Sequence, residues 1–223
     1  MSMMIIKPSL ETYALARLLG ARRSHRFSRS VALKVKKLGT KLGPLMIPRL
    51  HYQDKKIDSI NKEAVNIRGG KAFRSPKLSK VMKDCEKIIC FIATIGSGIE
   101  KEIVRLIGVN RLSDAYILDS MGSVAVENMV EKFYKRVKAK YESEDKGVTL
   151  RFSPGYCDWP ITEQKKLFKL FDPNATGIEL LDSCLMRPRK SVSGVFGIYN
   201  DTQKAPYNPC LDCPKKNCTG RRV

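Results

Sequence analysis

The segment that most constrains the fold is a nearly unbroken apolar run over residues 88–95, Ile-Ile-Cys-Phe-Ile-Ala-Thr-Ile, closed by Gly96-Ser97-Gly98. Such a run is too short to cross a bilayer and too uniformly apolar for a strand with one wet face. It predicts a buried strand entering a tight turn, with a helix opening near Ile99 and carrying Ile103, Leu106 and Ile107. Other elements must cover that strand, and with 43% of 223 residues hydrophobic the chain can build a sizeable core. A wholly disordered chain is excluded. No stretch of about 18 uncharged apolar residues occurs, and the start of the chain is too weakly apolar for a secretion signal. The expectation is a soluble, cytoplasmic protein.

Around the apolar run, residues 9–19 read as a short helix ended by Gly20. Val31, Val35, Leu38 and Leu42 recur at helical steps, with Gly39 and Gly43 leaving that helix's end open. A strand is expected from Pro48 to Ile57. Ser75-Pro76 supplies an N-cap and a first-turn proline for a helix reaching Met82. Residues 114–141 form the longest helical pattern, with Leu118, Met121, Ala125, Met129 and Phe133 on one side. Strands are expected over 148–152, 177–184 and 192–198, and a helix over 162–171. Helices and strands intermix without regular βαβ alternation, which points to an α+β fold around a mostly antiparallel sheet. The Gly96-Ser97-Gly98 turn lacks both the Walker lysine and the dinucleotide fingerprint, so it reads as a turn rather than a phosphate site.

Charge is concentrated in one region. From Thr12 to Lys83 there are 19 Lys and Arg against Asp54, Asp58 and Glu63, which places +16 of the total +20 there. Arg22, Arg23, Arg26 and Arg29 cluster between the first two helices, readable either as a solvated linker or as a surface for an anionic partner.

Chemistry concentrates in Arg151-Phe152-Ser153-Pro154-Gly155-Tyr156-Cys157-Asp158-Trp159-Pro160. A guanidinium, a turn-forming Pro-Gly pair and, beyond Phe152, the two aromatic rings of Tyr156 and Trp159 follow directly on a strand, where loops commonly carry binding groups. Arg151 suits a bidentate carboxylate, the Pro154-Gly155 backbone suits close approach to a flat ring, and Tyr156 or Trp159 suits stacking. The same residues also read as a turn with an aromatic plug and a surface arginine.

The pattern Arg-x-Ser-Pro-Gly-Tyr-x-x-Trp-Pro, followed by Glu163-Gln164 and a Leu167-Phe168 helix, resembles the reactivation domain of cobalamin-dependent methionine synthase. The likeness extends to Ala93-Thr94-Ile95-Gly96, to the helix from Leu118-Asp119-Ser120 through Glu127, and to Pro188-Arg189-Lys190-Ser191-Val192-Ser193-Gly194-Val195, and spans roughly residues 75–200. The resemblance implies an α+β domain with a curved antiparallel sheet and flanking helices that binds S-adenosylmethionine in a shallow groove. It implies that Arg151 binds the methionyl carboxylate, that the main chain around Ser153 and Gly155 meets the adenosine end, that Tyr156 packs beside the ligand, and that Glu127 meets the amino group. By helical count alone Glu127 equally reads as a solvated glutamate. The implied activity is reductive methylation of cob(II)alamin, presented by the cobalamin-binding domain of a methionine synthase or related corrinoid methyltransferase, with an electron donor. No homocysteine, folate or cobalamin module is recognised in these residues, so the expectation is a stand-alone reactivation factor working in trans. Tyr199 and Tyr207 are nominated for the tyrosine-rich segment that the fused enzymes carry.

Three of the seven cysteines stand close together as Cys210-x2-Cys213-x4-Cys218. That spacing suits zinc or an iron–sulfur cluster, with Cys157, Cys184 or an exogenous group as a fourth ligand, and equally suits redox-active thiols. Cys85 and Cys90, beside the apolar run, read as buried small hydrophobes. The expected organisation is a basic region over 1–74 packed on or part of the main domain, a ligand-binding domain over 75–203 and a cysteine-rich tail over 204–223. Two further readings stay open: a basic nucleic-acid-binding protein with a zinc-knuckle-like tail, which the scarcity of interleaved aromatics disfavours, and a corrinoid-docking or electron-transfer scaffold with a vestigial groove.

Overall fold

The computed structural model describes residues 1–20, 27–200 and 207–214. Arg22, Arg23, Arg26 and Cys218 lie outside the described residues. In chain order the elements are β1 (Ser2–Met4), α1 (Thr12–Leu18), α2 (Arg29–Leu45), β2 (Arg49–Ile60), β3 (Ala64–Ile67), β4 (Phe73–Arg74), α3 (Pro76–Met82), β5 (Cys85–Thr94), α4 (Gly98–Gly108), α5 (Leu112–Glu142) and β6 (Gly147–Val148). There follow a 3-10 turn at Ile161–Glu163, α6 (Gln164–Phe168), α7 (Pro173–Thr176), β7 (Glu179–Leu180), β8 (Met186–Arg187) and β9 (Ser191–Tyr199).

The main sheet has the order β4-β3-β2-β5-β9-β6, and β1 joins the edge of β2 that β3 uses further along. Every pairing among the described strands is antiparallel. The α+β architecture with an antiparallel sheet and flanking helices agrees with the sequence reading. Strand β5 lies at its centre, paired with β2 on one side and β9 on the other.

The apolar run is explained by two cores that share this strand. Ile89, Phe91 and Ala93 face one core, with α1, α2, α4 and α5, while Ile88, Cys90 and Ile92 face the other, with α3, Trp159, Leu167 and Phe171. Side chains alternate across a strand, so only a strand covered on both faces needs apolar residues at every position. Cys85 and Cys90 are both buried, as expected of small hydrophobes.

Helix α5 has 31 residues and buries all five of the positions that its apolar pattern marks. The Gly96-Ser97-Gly98 turn has a packing role: Gly96 takes φ +81, and a Cβ on Gly98 would collide with the Leu45 carbonyl at the end of α2. In α4 the expectation for Ile107 fails, since it is 52% exposed while Ile99 and Leu106 carry the buried face.

Two expected strands are shorter than predicted. Over 148–152 only Gly147–Val148 pairs as strand, after which Phe152 makes a single bridge to Val195. Over 177–184 only Glu179–Leu180 pairs, in a hairpin with Met186–Arg187, because Gly177 and Cys184 both take left-handed backbone conformations that end strand geometry.

Candidate functional site

The loop after β6 is an outgrowth of the sheet. Phe152 N–H donates to the Val195 carbonyl at 3.0 Å and Val195 N–H donates back at 2.8 Å. One step earlier Thr149 N–H donates to Gly197 O, and the Thr149 hydroxyl accepts from Gly197 N–H. Gly194 makes this approach feasible, since a Cβ there would stand 3.0 Å from the Phe152 carbonyl. The loop then closes on itself through Gly155 N–H to Trp159 O at 2.8 Å, Tyr156 N–H to Ser153 O and Trp159 N–H to Tyr156 O, with Gly155 at φ +90. Trp159 is the anchor: it is 1% exposed and stacks on Phe152 and edge-on against Phe73. Of Tyr156 and Trp159, Trp159 is therefore the plug and Tyr156, 48% exposed, is the ring available for contact.

Arg151 projects towards α5, where its Nη2 meets Glu127 Oε2 at 2.8 Å. The arginine side chain is largely covered and the glutamate is about half exposed. Glu127 belongs to a polar stripe of α5. Four and eight residues earlier, Ser123 and Asp119 hold Lys190, whose Nζ lies 2.9 Å from Ser123 Oγ and 2.7 Å from Asp119 Oδ1. Gly122 gives Lys190 room to lie across the helix, with a Cβ there only 3.2 Å from Lys190 Cε.

Glu127, Arg151, Ser153 and Tyr156 line one cavity of about 600 Å3, whose far wall is the start of β9 and the β7–β8 hairpin with Cys184 and Arg187. That volume lies in the range of small-molecule pockets. Gly155 is exposed and shapes the loop, and it is not among the lining residues. The wall also includes Gln164, 2% exposed, whose buried Nε2 has no partner among the described residues. A buried donor of this kind ordinarily finds an acceptor, so a ligand acceptor is a fitting one. Asp119, Ser123 and Lys190 escaped the reading of the sequence as site residues, although a polar stripe at four-residue steps on an otherwise buried helix is a legible signal.

A larger cavity of about 970 Å3 lies beside it, floored by Phe168, Phe171, Ile178 and Pro188 and sharing Arg187 and Arg189. It is the bigger void, but the smaller one gathers the paired charges and the exposed ring, so the chemistry points there.

The tail approaches the same loop from outside. Asp158 caps the start of α3 by accepting from Ser75 Oγ and from Lys77 N–H, and Lys77 Nζ reaches the Asp212 carbonyl at 3.5 Å. Tyr207 donates to Asp212 Oδ2 at 2.7 Å, and burial first, then this bond, pushes its phenol up to about 12. Cys157, at φ +53, is pushed up to about 11, first by partial burial and then by the negative charge of Cys213 and Cys210. Among the described residues no three Cys, His, Asp or Glu side chains are gathered tightly enough to hold a metal ion as they stand.

Comparison with known proteins bears on this site. A crystal structure described as the MetH reactivation domain bound to AdoHcy shares the fold, with a TM-score of 0.64 at 16% identity over 92% of this chain and 81% of that one. The family model for the activation domain of vitamin B12 dependent methionine synthase matches residues 78–215, a span that takes in α5, the loop, β9 and the start of the tail. By that match the chain belongs to the vitamin B12 dependent methionine synthase activation-domain family.

Proposed function

We propose that the 600 Å3 cleft binds S-adenosylmethionine and presents its methyl group to cobalamin on a separate cobalamin-binding domain, supporting reductive methylation of cob(II)alamin. The observation that carries this reading is the Arg151–Glu127 pair at the cleft wall in a chain of this family. The methionyl end of S-adenosylmethionine is a zwitterion, with a carboxylate and an ammonium on one carbon. A guanidinium beside a carboxylate is its complement: each protein charge exchanges its present partner for an opposite charge on the ligand, so neither is stranded on binding. Tyr156 offers a face for the adenine ring, and Ser153 with the start of β9 offers main-chain contacts. The solved relative in fold is bound to AdoHcy, the thioether that remains once S-adenosylmethionine has given up its methyl group.

The reaction balances with one external electron. A one-electron donor reduces cob(II)alamin, the reduced cobalt attacks the sulfonium methyl carbon, the S–CH3 bond breaks and a Co–CH3 bond forms, and the neutral thioether leaves. The chain's own part is to bind and orient the sulfonium and to exclude water from its methyl face.

Isothermal titration tests the first step. The intact protein is expected to bind S-adenosylmethionine, and Arg151→Ala to bind more weakly by roughly 1.5–3 kcal/mol, the usual worth of a hydrogen bond to a charged group. Absence of binding by the intact protein overturns the reading. The second step is followed by mixing the chain anaerobically with a cob(II)alamin-loaded cobalamin domain, S-adenosylmethionine and a reductant, with appearance of the methylcobalamin spectrum expected only when all are present.

A further inference from the structure

The cavity of about 970 Å3 beside the cleft has no part in the function proposed above, and its lining differs in kind from that of the cleft. The volume lies towards the upper end of the range of small-molecule pockets. Its floor is apolar. Phe171 and Ile178 belong to the core that Ile88, Cys90 and Ile92 of β5 also enter, and Phe168, packed against that core, is only half-buried.

The walls carry Lys165, Lys169, Arg187 and Arg189. Lys165 and Lys169 stand four residues apart, on one side of α6 and its end, while Arg187 and Arg189 come from β8 and the approach to β9. In the cleft Arg151 is matched by Glu127. Here, among the described residues, the side chains of Lys169, Arg187 and Arg189 have no carboxylate partner, and Lys165 has only the exposed Asp182 at 3.9 Å. The two carboxylates of the lining do not neutralise them. Glu100 is taken up by main-chain donors, the N–H groups of Arg189 and Lys190, and Glu179 stands opposite Arg187 in the β7–β8 register without closing an ion pair. A further guanidinium lies against the wall, since a Cβ on Gly177 would stand 2.7 Å from Arg49 Nη1.

Exposed cations alone are simply hydrated. Cations around an apolar floor are a different case, because one ligand can satisfy both. A guanidinium pairs with a carboxylate or phosphate through two parallel hydrogen bonds and also lies flat on a ring, while the floor takes apolar area out of water. We propose that this cavity is a second binding site, for an organic anion whose phosphate or carboxylate group is carried on a flat apolar body. The proposal is independent of S-adenosylmethionine binding in the cleft.

The test titrates the full chain with anilinonaphthalene sulfonate, an anion on fused rings whose fluorescence rises and shifts to the blue as it leaves water. Saturable binding at one site is expected. Naphthyl phosphate and naphthoate should each displace the probe, and the stronger competitor names the anionic group. Inorganic phosphate at matched ionic strength should compete roughly tenfold less well, having no ring to bury. Lys165 and Lys169 are exposed and line this cavity but not the cleft. Lys169→Gln and, independently, Lys165→Gln should each weaken the probe by roughly three- to fivefold, the upper worth of an exposed charge contact. Arg151→Ala, in the cleft, should leave probe binding unchanged, and circular dichroism checks that each variant keeps its fold. Absence of a saturable site, equal affinity in both lysine variants, competition by inorganic phosphate as strong as by naphthyl phosphate, or loss of the probe in Arg151→Ala overturns the proposal.

Discussion

At the scale of single residues, His51 sets a pH limit on the fold. It lies in β2, 2% exposed, and neither ring nitrogen has a hydrogen-bond partner among the described residues. Burial, reinforced by the nearby Arg49 guanidinium, holds its pKa below the usual imidazole range. The imidazole therefore stays neutral in the fold over a range where the unfolded chain takes up a proton. Stability is full above about pH 6.5 and falls as pH drops below it, by at most about 1.4 kcal/mol per pH unit. Urea unfolding at pH 7.5 and 5.5 should show that loss, and His51→Leu should reduce it; an equal slope in the variant would assign the pH dependence to other groups. Arg151 and Glu127 show a different behaviour. Glu127→Gln keeps the shape of the side chain and removes its charge, so it should weaken binding of the S-adenosylmethionine ammonium end by about 1–2 kcal/mol, while its amide oxygen can still accept from the largely covered Arg151 and holds the loss of stability to about 1 kcal/mol. Calorimetry and thermal unfolding of one preparation separate the two effects.

At the scale of elements, the start of α3 joins fold and site. Ser75 accepts from Leu78 N–H at 2.9 Å and donates to Asp158, so one hydroxyl caps the helix and steadies the loop. Ser75→Ala should destabilise the protein by about 1–2 kcal/mol, read as a lower denaturant midpoint, and should raise the proteolytic sensitivity of the loop; an unchanged midpoint would mean that water takes over the cap. The Ser75-Pro76 signal was legible because its information is local. The same holds for β5 and for α5, expected over 114–141 and found over Leu112–Glu142. Strands β1, β3 and β4 escaped notice because they have two to four residues each and owe their extended form to the partner they pair with. The site divides the same way. Arg151 and Tyr156 stood out in a ten-residue motif, whereas the pairing of Glu127 with Arg151 joins residues 24 apart, and that of Lys190 with Asp119 joins residues still further apart. Periodicity left Glu127 between ligand and solvent, because the cleft over that face of α5 is made by segments that only the tertiary fold brings there.

At the scale of the whole molecule, the +20 charge governs encounter more than architecture. Lys36, Lys37 and Lys41 on α2 and Lys62, Arg68 and Lys71 around β3 are all exposed. No described helix is long and apolar enough to cross a membrane. A cobalamin domain with an acidic face should associate faster at low ionic strength, and raising salt from 50 to 200 mM should slow association with little change in dissociation, as seen by surface plasmon resonance. Equal or tighter retention on a nucleic-acid column, with affinity falling steeply in salt, would favour the basic nucleic-acid reading instead.

The bridge between Phe152 and Val195 stitches one wall of the cleft to the central layer of the sheet. If the cleft takes S-adenosylmethionine as proposed, that wall should stay put as ligand comes and goes, and a partner docked above the mouth, rather than a flap of this chain, should set when the spent thioether departs.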